Sequence, residues 1–155
     1  MTKNVLERAV IDEVQQERQE LHSLLEVVRS MFHEHRTARV DGAARLLDSL
    51  DELREHLGMM FALQETDGYL DELAATRVPL GDSIGAIKAE HVTLFEELSR
   101  MIEQCDRDIA RGRWGQSWKL AEMTFENFCE RLQDYQASEV LQPLRAFNHN
   151  AGFGD

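Results

Sequence analysis

Four polar residues fall within the apolar stripes of predicted helices, where they could form a site inside the protein. Gln64, His91, Tyr135 and Glu139 each continue a run of apolar residues spaced three or four positions apart. Because such a stripe faces the core, the four side chains are expected to share one interior layer. Imidazole and carboxylate groups bind transition metals, and a polar group in an apolar pocket can hold a small ligand. One histidine and one carboxylate are too few for a two-metal centre.

Each of these four residues also has a purely structural interpretation. His91 and Tyr135 could be core residues whose polar atoms are satisfied by hydrogen bonds within the protein. Gln64 could serve only to cap the end of its helix. Glu139 is solvated if its helix ends early, whereas a buried, unpaired carboxylate would cost several kcal/mol. If it is buried, we expect it to lie within reach of His91, and without a metal such a pair would raise the pKa of the histidine. The sequence leaves both interpretations open for each residue.

The apolar periodicity that positions these residues predicts four helices and no strands. The helices are expected at about 4–35, at 42–64 with Asp41 as the cap, from 82 or 83 to about 105, and at 116–141. The third stripe contains Ile84, Ile87, His91, Leu94, Phe95, Leu98 and Ile102. Short connections make sequential helices antiparallel. The prediction is an all-α, up-down-up-down antiparallel four-helix bundle, with residues 1–155 as a single domain.

Composition and charge exclude several classes of function. The chain has 155 residues, with 29 acidic against 17 basic residues and a net charge of -12. This balance argues against binding to a nucleic-acid backbone, which needs clustered Lys and Arg. No apolar run is long enough to span a membrane, and the N-terminal segment does not have the pattern of a signal peptide, so a cytoplasmic protein is expected. Cys105 and Cys129 are predicted to be reduced thiols in or near the core.

Segments of all four helices resemble those of the hemerythrin-like (HHE cation-binding) family. They are ELHSLL around His22, MFALQETDGYL from Met60, AEHVTL around His91, and LQDYQASEVLQPLRAFNHNAGFGD from Leu132 to the end. No single segment is specific, but the four occur in the family's order and cover most of the chain. The resemblance implies a four-helix bundle. In the family, this bundle holds a non-haem di-iron site that binds oxygen or serves in sensing.

Carried over position by position, the resemblance leaves few metal ligands. Three of the family's ligand positions still carry a ligand in this chain: the histidines His22 and His91, and the carboxylate Glu139. The remaining ligand positions carry Met60, Gln64, Ile87 and Tyr135, which would instead line a pocket. An alternative alignment makes His56 the ligand of the second helix. We disfavour it because it places the ligand on the flank of the apolar stripe of that helix. His22 likewise lies on the flank of the stripe of the first helix.

These residues predict a binding or interaction protein without di-iron. Methionine is a soft ligand and glutamine is neutral, so neither replaces a histidine or carboxylate at an iron site. No cofactor is expected, and no nucleophile with a neighbouring base suggests an enzyme. The alternative is a metalloprotein that keeps one iron or zinc on His22, His91 and Glu139, for oxygen, nitric oxide or redox sensing. A small ligand or a protein is the expected partner, and an exposed Trp114 or Trp118 could mark a homo-oligomer contact.

Overall fold

The computed structural model describes residues 2–34, 39–66 and 81–137 of the chain. Four helices account for nearly all of these residues: α1 Thr2–His33, α2 Val40–Gln64, α3 Gly81–Ala110 and α4 Trp114–Gln136. The described ranges contain no strand, which confirms the all-α prediction. None of these helices is long and apolar enough to cross a membrane.

The helices form a bundle in which each packs against its neighbour along the chain, and α1 also contacts α4. Arg29 of α1 contacts Glu126 of α4, and one turn further along α1, His33 contacts Glu122. The position number rises along α1 while it falls along α4, so these two helices are antiparallel. Glu65, just after α2, contacts His91 of α3. On α3 and α4, Glu97 contacts Arg131 while His91 contacts Tyr135, so these two helices are also antiparallel. The up-down-up-down arrangement follows.

The predicted stripes form the core of the bundle. On α2, all five residues of the predicted stripe are buried: Leu46, Leu50, Leu53, Leu57 and Met60. Phe125 of α4 is completely buried, and its ring centre lies 5.5 Å from that of Phe32 and 6.4 Å from that of Phe128. A smaller cluster of Ile11, Val14 and Ile87 joins α1 to α3. Burial of these apolar side chains supplies the main driving force for folding.

The start of α2 differs from the prediction. Arg39, and not Asp41, occupies the cap position, and its side chain makes no capping hydrogen bond. Asp41 lies in the first turn of the helix. A carboxylate there still stabilises the helix, because it lies close to the positive end of the helix dipole.

The connection between α3 and α4 is shorter than the predicted loop over 106–115. Helix α3 continues to Ala110, and Gly112 then adopts a left-handed conformation with φ 69°. The Arg113 N–H donates to the Asp108 carbonyl at 2.7 Å, and the Gly112 N–H donates to the Ile109 carbonyl at 3.1 Å. This pair of bonds is a Schellman motif, which ends a helix within a few residues. Helix α4 therefore begins at Trp114, which is buried, so of the two tryptophans named as a possible exposed contact this one is excluded. Trp118, the other, is half-buried.

Candidate functional site

The ends of α2 and α4 bring the predicted polar residues into one layer. Gln64 is the last residue of α2 and Tyr135 lies near the end of α4, while His91 lies in the first half of α3. Because α3 is antiparallel to both neighbours, these three positions meet at the same end of the bundle. Gln64 is 1% exposed and His91 is 2% exposed, and Tyr135 is also buried. The prediction that these three residues face the interior is confirmed.

His91 is held on both ring nitrogens by other side chains. Its Nδ1 lies 2.9 Å from Oε2 of Glu65, and its Nε2 makes a short hydrogen bond with the hydroxyl of Tyr135. The ring of Phe61 stacks on the imidazole, with the centres 4.0 Å apart and an angle of 10° between the planes. His91 thus has its orientation fixed by two hydrogen bonds and one stacking contact.

Burial determines the protonation state of His91. Removal from water disfavours the charged imidazolium, and this effect lowers the pKa of His91 even though Glu65 acts in the opposite direction. The neutral ring has one N–H. Because a carboxylate can only accept, Nδ1–H donates to Glu65, and Nε2 accepts the proton of the Tyr135 hydroxyl. The expectation that a Glu139 partner raises the pKa of His91 concerns a residue outside the described ranges.

The side-chain amide of Gln64 completes the layer and has one unpaired atom. Its Oε1 lies 3.4 Å from the Tyr135 hydroxyl oxygen, and its Nε2 is buried with no hydrogen-bond partner among the residues that the structure describes. The hydroxyl of Tyr135 has a single proton, which it donates to His91 Nε2 in the short hydrogen bond. The oxygen and nitrogen of a side-chain amide are distinguished by their hydrogen bonds. Because Tyr135 has no second proton to donate, we exchange the two atoms, so that the donating Nε2 faces Tyr135. The other amide atom is then an oxygen, which is buried and has no partner in residues 2–34, 39–66 and 81–137.

Met60 and Ile87, the predicted apolar lining residues, are both buried. Met60 belongs to the main core cluster, and Ile87 packs with Ile11 and Val14 in the smaller cluster. Neither side chain carries a group that binds a hard iron ion. Met60 therefore shares its cluster with Tyr135 of the interior layer, whereas Ile87 lies in the other cluster.

The predicted ligand set of His22, His91 and Glu139 is not brought together in the described residues. His22 is exposed on α1, because the inward position beside it is taken by Leu21, which is 1% exposed. The prediction that His22 flanks the core is therefore wrong. Glu139 lies outside the described ranges. Of the three, the structure places only His91 in the interior layer.

Glu65 is the residue of this layer that the sequence reading missed. It follows the last residue of α2, and its side chain remains 35% exposed while it contacts the buried His91. Phe61, four positions earlier, is buried and widens the apolar stripe of α2 toward α3. Had Phe61 been counted in the stripe, the four-residue step would have placed Glu65 on the same side of the helix.

A second group of titratable side chains lies between α1 and α2. His56 Nδ1 lies 2.9 Å from Glu17 Oε2 and 3.5 Å from Glu20 Oε2. The three ligand atoms all lie within 4.8 Å of one another, the spacing needed to surround one metal ion. The hydrogen bond to Glu17 raises the pKa of His56, although partial burial acts against it, and the charges of Glu17, Glu20 and Glu52 add to the increase.

The raised pKa of His56 predicts a pH-dependent contribution to stability. The charged pair with Glu17 should stabilise the bundle fully below the usual histidine pKa and lose its effect as pH rises through the raised value. We expect His56→Gln to lower the free energy of unfolding by about 0.5–1 kcal/mol at low pH and by less at high pH. Urea unfolding on both sides of neutrality measures this difference.

His33 provides the matched control for His56. It contacts one carboxylate, Glu122, and its side chain is 69% exposed. His33→Gln should change the stability by no more than about 0.5 kcal/mol at either pH, as is typical of surface positions. A loss for His56→Gln that does not depend on pH would contradict the charged pair with Glu17.

Cys105 and Cys129 are buried free thiols, in agreement with the sequence reading. Burial raises the pKa of Cys105 to about 12 and that of Cys129 to about 11. Both thiols are therefore protonated at neutral pH. A protonated thiol is a poor nucleophile and a poor metal ligand, so the two cysteines act as small core residues.

Comparisons of the chain with family models, curated proteins and solved structures found no match. Membership of the hemerythrin-like family therefore stays a prediction from the four sequence segments. The geometry of the interior layer provides independent information on what these residues can do.

Proposed function

We propose that the protein is a hemerythrin-like bundle that has lost the di-iron function and serves as a non-catalytic binding or interaction protein. The observation that supports this most is the hydrogen bonding of His91. Both ring nitrogens are used within the protein, by Glu65 and Tyr135. In this arrangement, the one interior histidine at a family ligand position is a structural residue.

The chemistry of the neighbouring positions supports the same conclusion. Two iron ions need several histidines, and bridging carboxylates to neutralise their charge. Met60 is a soft ligand, Gln64 is neutral and Ile87 has no ligand atom, so these side chains cannot supply that set. The Tyr135 hydroxyl is already bonded to His91. Glu65 is a carboxylate that contacts this layer, but it is partly exposed and bonded to His91 Nδ1.

The interior layer offers a polar anchor for a small ligand. Within the described ranges, one atom of the Gln64 amide is buried without a hydrogen-bond partner, and leaving such a group unpaired costs about 1–3 kcal/mol. A ligand with a complementary polar group would recover this free energy on binding. The apolar side chains of Met60 and Ile87 would contact its nonpolar part. A small, mostly apolar molecule with one hydrogen-bonding group fits this description.

The alternative function, a sensor with one iron or zinc on His22, His91 and Glu139, has less support. His22 is exposed while His91 is buried, so these two histidines do not face the same space. Metal binding by this set would require α1 to turn until His22 replaced Leu21 in the core. Exposing Leu21 would cost about 1.5–3 kcal/mol.

Iron analysis of the purified protein tests the proposal. After anaerobic expression with added iron, we expect fewer than two irons per chain, because the interior layer has too few hard ligands for a di-iron centre. A hemerythrin-like protein with a complete ligand set, expressed in parallel, controls for the iron supply. Two irons per chain, with a visible absorption band that forms on exposure to oxygen, would contradict the proposal.

A further inference from the structure

We propose that Glu17, Glu20 and His56 form a binding site for one divalent transition-metal ion, with zinc as the best match. The site lies between α1 and α2, away from the interior layer. His56 and Gln64 are eight residues apart on α2, which corresponds to about 12 Å along the helix axis. The inference does not depend on the family assignment or on the proposed function.

The distances between the three ligand groups suit a tetrahedral ion. Bonds of about 2.0–2.2 Å in tetrahedral geometry separate neighbouring ligand atoms by roughly 3.3–3.6 Å. His56 Nδ1 lies 2.9 Å from Glu17 Oε2 and 3.5 Å from Glu20 Oε2. Small side-chain rotations would therefore be enough to admit the ion. In the bound state, the ion replaces the proton that now joins Nδ1 to Glu17.

Two helices hold these ligands in place. Glu17 and Glu20 are three residues apart, so they lie on the same face of α1. His56 projects from the antiparallel helix α2 toward that face. His56 and Glu17 are mostly buried, with exposed fractions of 25% and 14%. The fold therefore already restricts these side chains, and metal binding loses less of their conformational entropy. Glu20 is more exposed and is free to adjust.

The type of ligand selects the class of ion. Two carboxylates can neutralise the charge of a divalent ion, and the imidazole nitrogen favours zinc and neighbouring transition metals. Calcium and magnesium prefer sites made only of oxygen ligands. Glu52, one turn before His56, adds a further negative charge close by. Among the described histidines that contact a carboxylate, only His56 contacts two.

A groove beside the cluster leaves room for a fourth ligand. The groove has a volume of about 500 Å³ and opens to solvent. Its lining residues are Gln16, Gln19, Glu20, Ser23, Leu24, Glu52 and His56. With three protein ligands bound, the fourth position of a zinc ion would face this groove and be taken by water or by a small anion.

Titration of the metal-free full chain with zinc chloride tests the site. Isothermal calorimetry should show one ion per chain, and cobalt should give the visible absorption of a tetrahedral complex. His56→Gln and Glu17→Gln should each weaken binding more than about tenfold, since even substitutions behind metal ligands have effects of this size. Zinc should raise the melting temperature of the wild type but not that of His56→Gln.

Control variants separate this site from other histidines. His33→Gln removes a histidine with one carboxylate partner, and His22→Gln removes an exposed histidine outside the cluster, so both should bind zinc like the wild type. Circular dichroism verifies the helical content of every variant, and Glu20→Gln gives a third test of the cluster. The proposal is overturned if the wild type binds neither zinc nor cobalt, or if folded His56→Gln and Glu17→Gln bind zinc with unchanged affinity.

Discussion

Replacing Phe125 with alanine should destabilise the bundle by about 3–5 kcal/mol. The side chain is completely buried and packs against Phe32 of α1 and Phe128 of α4. Removing the ring loses its transfer free energy and leaves a cavity that neighbouring helices fill only in part. Because a domain of this size is stable by about 5–15 kcal/mol, the loss is a large fraction of the total. Urea denaturation measures the change from the shift in midpoint.

Leu120→Ala is the matched control on the same helix. Leu120 is 66% exposed, so its truncation should change the stability by no more than about 0.5 kcal/mol. If Phe125→Ala costs no more than this control, then Phe125 does not hold α1 and α4 together in the way that the fold indicates.

His91→Leu and Tyr135→Phe should each destabilise the protein by about 1–3 kcal/mol. Each single change leaves the other polar group buried without the short hydrogen bond between them. The double variant removes both groups and should cost less than the sum of the two single changes. We expect an interaction energy of at least about 1 kcal/mol, within the range found for residues in contact. Denaturation of the four proteins in this cycle gives the value.

A second cycle with a distant residue controls for general effects of destabilisation. Phe125 lies ten residues before Tyr135 on α4, about 15 Å along the helix axis. His91→Leu and Phe125→Leu should therefore be additive within about 0.5 kcal/mol. If the cycle of His91 with Tyr135 is also additive, the hydrogen bond between them does not stabilise the interior layer.

The apolar periodicity was sufficient to predict the helices and most of the core. Burial of a regular stripe depends mainly on local spacing, so the reading of α2 from Leu46 to Met60 was confirmed. The same reasoning placed Gln64, His91 and Tyr135 inside. It was less successful at the edge of a stripe: Phe95 was assigned to the core but is 37% exposed. Whether a residue at the edge of a stripe is buried depends on how the neighbouring helix is rotated, because successive residues are 100° apart around a helix.

Partners across helices could not be predicted from the sequence. His22 was expected beside the core, but the rotation of α1 puts Leu21 inward and His22 outward. Glu65 was missed because Phe61, one turn before it, was not counted in the apolar stripe of α2. The cluster at His56 was missed for a different reason. It depends on the relative positions of α1 and α2, which bring Glu17 and His56 together although they are 39 residues apart in the chain.

Nuclear magnetic resonance of the His91 ring in metal-free protein tests most directly whether this histidine is a neutral structural residue of the interior layer. Nitrogen-15 shifts of the ring, followed as pH is varied, give both the protonated nitrogen and the pKa. Burial between Phe61, Glu65 and Tyr135 predicts a pKa below the usual value of about 6.5, with the proton on Nδ1 in the neutral form. A pKa above that value, as expected for a buried pair with Glu139, or a neutral form protonated on Nε2, would contradict the account.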